Sequence, residues 1–313
     1  MKPLWIVALI QVASGVLSGP DPAQMEKAPD LGYRAVESGV VLPQGLELGA
    51  PSSVTVDSHG HLLVFTRAPR PLLEFDLKTG ALIKSFGEGA YVRSHGMRVD
   101  PAGNIWTTDV NGHTVTKMSP DGNVLLTLGT KGQAGTWDEA AGTRLFTEPN
   151  DVGFAPNGDV LVVQGHGRGD PRVLRFDKTG KFIKSWGGLG KEPGQFDLAH
   201  SVVIDAKNLV YVADRQNRRV QIFDMDGKFI KAWAFAGLPC GLYIGKDQQM
   251  YLATGFAGQI LKLDANGKAT AAMGQPGKAL GEFGEAHYMT IVPNGDIYVA
   301  DTVKPALHRY VKR

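Results

Sequence analysis

The sequence predicts an all-β fold, a six-bladed β-propeller, on three observations: a turn motif that recurs six times, strand pairs flanking each copy, and a truncated last unit that an early segment completes. The turns are Val56-Asp57-Ser58-His59-Gly60, Val99-Asp100-Pro101-Ala102-Gly103, Phe154-Ala155-Pro156-Asn157-Gly158, Ile204-Asp205-Ala206-Lys207-Asn208, Ile244-Gly245-Lys246-Asp247-Gln248 and Ile291-Val292-Pro293-Asn294-Gly295. Gly and Asn tolerate the positive φ that tight turns demand. Each turn leads into an alternating run rich in β-formers, such as 296–301. A second strand pair follows, clearest in 172–177 and 181–186 around the turn Lys178-Thr179-Gly180.

That makes four antiparallel strands per unit. The markers at 60, 103, 158, 208, 248 and 295 are spaced by 43, 55, 50, 40 and 47 residues, the period of propeller blades. Helical solenoids of similar period are excluded, because no 3.6-residue apolar pattern is sustained. The sixth unit stops after its third strand, at 306–311, and the segment around 33–42 is expected to supply the fourth and close the ring.

The expected organisation is a signal peptide at 1–18, a flexible leader at 19–30 and the propeller at 31–313. Lys2, the apolar run from Leu4 to Ala13 and the small residues near Ser18 carry the first of these. They imply a secreted or periplasmic protein, with no membrane association once the peptide is cut. A lone Cys240 excludes an intrachain disulfide. With 43% hydrophobic and 20% charged residues the chain has ample core, and a formal charge of +2 without a basic stripe argues against nucleic acid as a partner. A monomer is expected.

Counting back eight residues from each marker defines one position on the innermost strand of every blade: Ser52, His95, Asn150, His200, Cys240 and His287. The chain has 8 histidines, so chance places far fewer than one in six positions. Three occur, on alternate blades, pointing at a common axis. Three protein ligands with an open fourth position is the catalytic form of a zinc site, so one axial Zn2+ is expected at His95, His200 and His287. The competing reading is three unrelated channel-lining histidines. Cys240 in the same ring is either a packed small hydrophobe or a further ligand.

Several phrases carry a family resemblance: Ser94-His95-Gly96 with Asn104-Ile105-Trp106-Thr107-Thr108-Asp109, Gly194-Gln195-Phe196 through Ala199-His200-Ser201, and Ala213-Asp214-Arg215-Gln216-Asn217 with Arg219. From about Ser53 to its end the chain resembles the NHL-repeat propeller of peptidyl-α-hydroxyglycine α-amidating lyase, the lyase domain of peptidylglycine α-amidating monooxygenase. The resemblance implies that the three histidines hold zinc, and that Arg67 and Arg215 handle a substrate carboxylate. It also aligns His166 with the family's tyrosine base. Two departures stand around the third histidine, in Glu285-Ala286-His287-Tyr288. The family's aspartate after that histidine serves a structural calcium, so the Ca2+ that the resemblance carries loses a ligand here, while Tyr288 becomes an alternative proton carrier.

The activity implied is cleavage of the C–N bond of a peptidyl-α-hydroxyglycine, or a similar carbinolamide, to an amide and glyoxylate. Zinc would act as Lewis acid, Arg67 as carboxylate clamp, and His166 or Tyr288 as proton acceptor. The substrate is then a small molecule or peptide bearing a carboxylate. Two alternatives stay open: a zinc-dependent esterase or lactonase on the same propeller, and a non-enzymatic NHL-repeat binding protein.

Overall fold

A computed structural model describes residues 25–167 and 169–313; the segment expected to be a signal peptide lies outside them. The described residues form six four-stranded antiparallel sheets and no helix. Blade 1 comprises Pro51–Val56, Leu62–Thr66, Leu72–Phe75 and Leu82–Phe86; blade 2, Ser94–Val99, Ile105–Asp109, Thr114–Met118 and Val124–Leu128. Blade 3 comprises Pro149–Phe154, Val160–Gln164, Arg172–Phe176 and Phe182–Gly187, and blade 4, Ala199–Ile204, Val210–Asp214, Arg219–Phe223 and Phe229–Ala234. Blade 5 comprises Gly241–Ile244, Met250–Ala253, Ile260–Leu263 and Ala269–Met273.

Blade 6 joins Ala286–Ile291, Ile297–Asp301 and Ala306–Lys312 to the early strand Tyr33–Val36, which pairs antiparallel with Ala306–Lys312 from Tyr33↔Lys312 to Val36↔Arg309. The closing strand is therefore shorter than the 33–42 expected. Beyond it Val41 donates to the Gly80 carbonyl at 2.8 Å and bridges to Ala81 of blade 1. Before it, residues 26–31 are docked on blade 5: Glu26 exchanges hydrogen bonds with Gln259, Asp30 bridges to Ala272, and Leu31 donates to the Ala272 carbonyl. One continuous segment thus ties blades 5, 6 and 1 together.

The core is a ring of clusters lying between neighbouring blades. Val64, Leu73 and Phe75 of blade 1 pack on Tyr298 and Ala300 of blade 6, and Leu161 and Val173 of blade 3 pack on Val202 and Val212 of blade 4. No blade buries both of its faces alone. The long spacing before blade 3 holds an extra hairpin, Trp137–Asp138 with Thr143–Arg144, whose Trp137 packs on Phe146, Phe176 and Phe182.

Deleting residues 31–42 removes the closing strand and bares the edge of Ala306–Lys312. The variant is expected to melt about 10 °C or more below the parent, on the order of 2–4 °C for each kcal/mol lost, and to aggregate on heating. An unchanged melting curve would show that the ring holds without this strand.

Candidate active site on the propeller axis

Every inner strand carries an irregularity at the ring position or starts just after it. Pairing with the second strand skips Ser52 between Pro51 and Ser53, Asn150 between Pro149 and Asp151, and His200 between Ala199 and Ser201. In blades 2 and 6 it skips from Ser94 to Met97 and from Ala286 to Met289, releasing His95 and His287. Cys240 precedes the first strand of blade 5. Each bulge re-aims one side chain out of the pleat and towards the axis.

The bulges also bring blades close together. A Cβ on Gly96 would lie 2.4 Å from the Asn150 carbonyl oxygen, and one on Gly241 would lie 2.2 Å from that of His287. Only glycine fits there.

All six ring residues are buried. His95 Nδ1 donates to the Asn150 carbonyl at 2.8 Å, His200 Nδ1 to that of Cys240 at 2.9 Å, and His287 Nδ1 to that of Ser52 at 2.6 Å. Each histidine thus hands its Nδ1 proton to the ring position of the next blade. That fixes the tautomer and leaves Nε2 as the lone-pair nitrogen, the orientation that metal-ligating histidines use. The three rings meet edge to face, with centroids 4.8, 4.8 and 5.0 Å apart, and His95 Nε2 is buried without a protein partner.

Electrostatics agree with neutral rings. Burial, then the neighbouring histidines and Arg67, holds His95 well below its ordinary value, and burial, then Arg215 and the other histidines, does the same for His200. Burial takes His287 down to about 4. Two overlapping donor clusters, His95–His166–His200 and His200–Cys240–His287, have their candidate ligand atoms within 4.8 Å of one another. The site fits a divalent ion. Cys240 Sγ lies 3.7 Å from His200 Nδ1 and 3.8 Å from Nε2, so the sulfur packs beside the ring and off the Nε2 lone-pair direction.

The start of each first strand abuts the end of the second, as in Pro51↔Thr66 and Ala199↔Asp214, so residues following second strands line one mouth of the channel. Arg67, His166 and Arg215 occupy this place. Conserved roles within the repeat hold the mouth together: Asp109 accepts from the amides of Val92 and Arg93, and Asp301 from those of Gly284 and Glu285. The backbone of His166 is held by Glu148, whose carbonyl accepts from Gly165 and His166 and whose carboxylate accepts from Gly167. The His166 ring lies 5.0 Å from that of His95 and 5.9 Å from that of His200.

The arginines differ. Arg215 is buried, paired with Glu285 Oε1 at 2.5 Å, and its guanidinium sits 5.3 Å from the Phe256 ring centroid; its Nε has no partner. Glu285 is held on its other oxygen by Thr302. Arg67 makes one long bond, Nε to the Ser94 carbonyl at 3.4 Å, and no ion pair among the described residues. The sequence reading did not single out Arg93, whose charge bears on both Arg67 and His166. Its signal was its place two residues before His95, where Glu285 stands before His287.

Tyr288 is on the other side. One residue deeper than His287, it donates its hydroxyl to the His200 carbonyl at 2.9 Å, and burial pushes its phenol well above the usual range. Beneath it Arg98 grips both Asp151 oxygens, at 3.1 and 2.7 Å, as well as Ser201 Oγ and the Leu242 carbonyl, with its guanidinium 5.4 Å from the Tyr288 ring centroid. The nearby Asp151 carboxylate is committed to the Arg98 guanidinium. A cavity of about 200 Å³ opens below this floor, on the far face.

An NHL repeat model matches residues 196–223, the inner strands of blade 4. The chain is 31% identical over 241 residues to the peptidyl-glycine alpha-amidating monooxygenase of Mus musculus, covering 66% of this chain and 24% of the relative. It is 32% identical over 199 residues to a probable peptidyl-alpha-hydroxyglycine alpha-amidating lyase of Caenorhabditis elegans, covering 55% of each. The chain is a six-bladed β-propeller with an NHL repeat in blade 4, similar over part of its length to these relatives. It spans about half the length, or less, of these curated relatives. Among solved structures, a streptogramin B lyase shares the fold with a TM-score of 0.62 at 15% identity, covering 90% of this chain and 98% of that one.

The propeller should lose stability in acid when stripped of metal. Its ring histidines and His166 have native values below the unfolded value of about 6.5, so below that pH the unfolded chain binds protons that the native state refuses. Stability is therefore complete above about pH 6.5 and falls as pH drops towards the native values near 4 and 3. Each neutral imidazole contributes about 1.4 kcal/mol per pH unit in that window. Urea titrations at pH 7.5 and 5 should show the loss, and a smaller one in His287→Gln; equal losses in both proteins would contradict the assignment.

Proposed function

We propose that the chain is a zinc-dependent lyase that cleaves peptidyl-α-hydroxyglycines or similar carbinolamides to an amide and glyoxylate. The observation that carries this reading is the ring itself: three histidines on alternate blades, each with Nδ1 locked to a carbonyl and Nε2 left to the axis. His95, His200 and His287 would hold the ion, which when bound supplies Lewis-acid polarisation of a substrate oxygen.

The chain's own groups divide the remaining work. Arg67, with a guanidinium not committed to any carboxylate among the described residues, binds the substrate carboxylate as a charge-assisted pair. Arg215 is braced by Glu285, and with Arg67 and Arg93 it places positive charge beside His166. His166, a neutral imidazole, takes the proton of the substrate hydroxyl. The O–H electrons form the new C=O, the C–N pair leaves on the amide nitrogen, and that nitrogen recovers the proton from His166, so the step balances. Tyr288 is a positioning residue, because its hydroxyl is given to the backbone of His200.

An imidazole base ordinarily titrates near 6.5. Here burial, then Arg93, Arg215 and Arg67, lowers His166 to about 3 in the free protein. An anionic substrate offsets those arginines. The acid limb of kcat, which reports the bound state, is therefore expected at higher pH than that of kcat/KM, which reports the free enzyme. Coincident limbs would remove His166 from the role.

His166→Phe should lower kcat by at least about a hundredfold while the axial zinc remains bound. His95→Ala, His200→Ala and His287→Ala should each lose one equivalent of zinc relative to the parent, read by elemental analysis. A substrate panel with an α-hydroxyglycine peptide and simple esters separates the lyase from a hydrolase. If His166→Phe turns over normally, the proton acceptor is elsewhere; if it loses metal, His166 is a ligand.

A further inference from the structure

The turn of blade 1 differs from the five others in a way its own geometry does not require. Asp57 Oδ1 accepts from the amides of His59 and His61, each at 2.8 Å, which is the bond pattern that Asp100 makes with Ala102 and Asn104 in blade 2, at 3.0 and 2.9 Å. Asp205 repeats it with Lys207 and Leu209. The turn therefore needs backbone amides and no imidazole. Yet here two histidines stand two residues apart, with rings stacked 5.7 Å between centroids, and both direct Nδ1 at the remaining oxygen of Asp57.

The distances are those of a coordination shell. Asp57 Oδ2 lies 3.5 Å from His59 Nδ1 and 3.4 Å from His61 Nδ1. A tetrahedral ion with bonds of about 2.0–2.1 Å sets donor–donor edges of about 3.3–3.4 Å. Asp57, His59 and His61 have their candidate ligand atoms within 4.8 Å of one another. Glu74, almost fully buried on the third strand, accepts from His61 Nδ1 with Oε1 at 2.7 Å, while its Oε2 is neutralised by Lys84 Nζ at 3.2 Å. Taking up an ion moves the His61 proton to Nε2 and leaves Glu74 as a charge beside the site. The side chains of His59 and His61 are 59% and 30% exposed, so an ion enters without being stripped of all its water. A cavity of about 370 Å³ opens beside them at the seam with blade 6, lined also by Asp76, Asn294, Asp296 and Arg309.

We propose that Asp57, His59 and His61, backed by Glu74, form a second metal site, at the end of the propeller opposite the mouth, for an imidazole-preferring divalent ion of the zinc, nickel and copper class. Two nitrogen donors make calcium and magnesium poor occupants. The site is independent of the axial ring, since the turn at 57–61 is the far end of the strand that begins at Pro51.

The test is zinc chloride titrated alone into the metal-stripped, untagged full chain, with bound equivalents counted by calorimetry and elemental analysis. Its variant, His59→Ala with His61→Asn, installs the residues that blade 2 carries at the same turn, so the fold is retained and a melting curve without zinc checks it. The parent is expected to bind two equivalents and the variant one. His95→Ala is expected to lose the other equivalent and keep this one. Copper(II) bound to His95→Ala should show nitrogen hyperfine coupling in its paramagnetic resonance, absent once His59 and His61 are also changed. If the parent binds one ion that disappears only in the His59/His61 variant, this site stands and the axial reading falls. If the His59/His61 variant binds as many equivalents as the parent, the second site is overturned.

Discussion

The hydrogen bond from each histidine's Nδ1 to the carbonyl of the next blade's ring residue is the constraint on which fold and site both rest. At Ser52 and Asn150 the inner strand is bulged, and Cys240 precedes the first strand of blade 5, so each carbonyl lies outside the ladder and is presented to the neighbour. The bond thus serves twice. It ties adjacent blades at the axis, and it sets the tautomer of the imidazole that points inward. Asn150 shows the coupling most fully: its carbonyl accepts from both His95 and Thr108, and its amide donates to the Ala199 carbonyl of blade 4 at 2.7 Å. A shift of any blade would change the ring geometry, and loss of a ring contact would loosen the blades.

The charges around the ring are arranged asymmetrically, and this gives the channel a working side. At the mouth Arg93, Arg215 and Arg67 bear on His166, and Glu285 is paired with Arg215. Burial first, and then these arginines, keep His166 unprotonated. At the floor the balance is closed, because Arg98 and Asp151 satisfy each other and Ser201 donates to the same Asp151 oxygen at 2.8 Å. One guanidinium there touches residues of blades 3, 4, 5 and 6 from its own place in blade 2, so the floor is as much a clasp as a wall.

How much of this was legible in the sequence follows from what repeats. Turn chemistry recurs with the blades, so the number of blades, their strands and the ring of six positions could be read by counting. The closing strand could be placed but not its length, since only Tyr33–Val36 finds a free edge and the next residues cross to blade 1. The bulges were invisible because they leave no residue signature: Ser52, Asn150 and His200 share geometry and not side-chain type. Arg93 and the Arg98–Asp151–Ser201 clasp were missed for a related reason. Their partners are about 50 to 140 residues apart, and each lies outside the ring position that the count selected.

At Tyr288, where the chain departs from the family, adjacency to the third histidine suggested an alternative proton carrier, and the fold gives that phenol a backbone partner. Adjacent residues on a strand usually face opposite ways, but His287 and Tyr288 both fall in the bulge between Ala286 and Met289. The bulge lets both rings approach the axis, one residue apart in depth, with centroids 4.9 Å from each other. His287 faces the other two imidazoles; Tyr288 stacks under His200 at 6.0 Å and spends its only proton on that residue's carbonyl. A phenol so committed, with burial raising its pKa further, cannot accept a proton and would give one up only by releasing His200. Depth along the axis therefore separates the two residues: His166 lies on the mouth side of the ring, and Tyr288 lies below it, bonded to the His200 backbone.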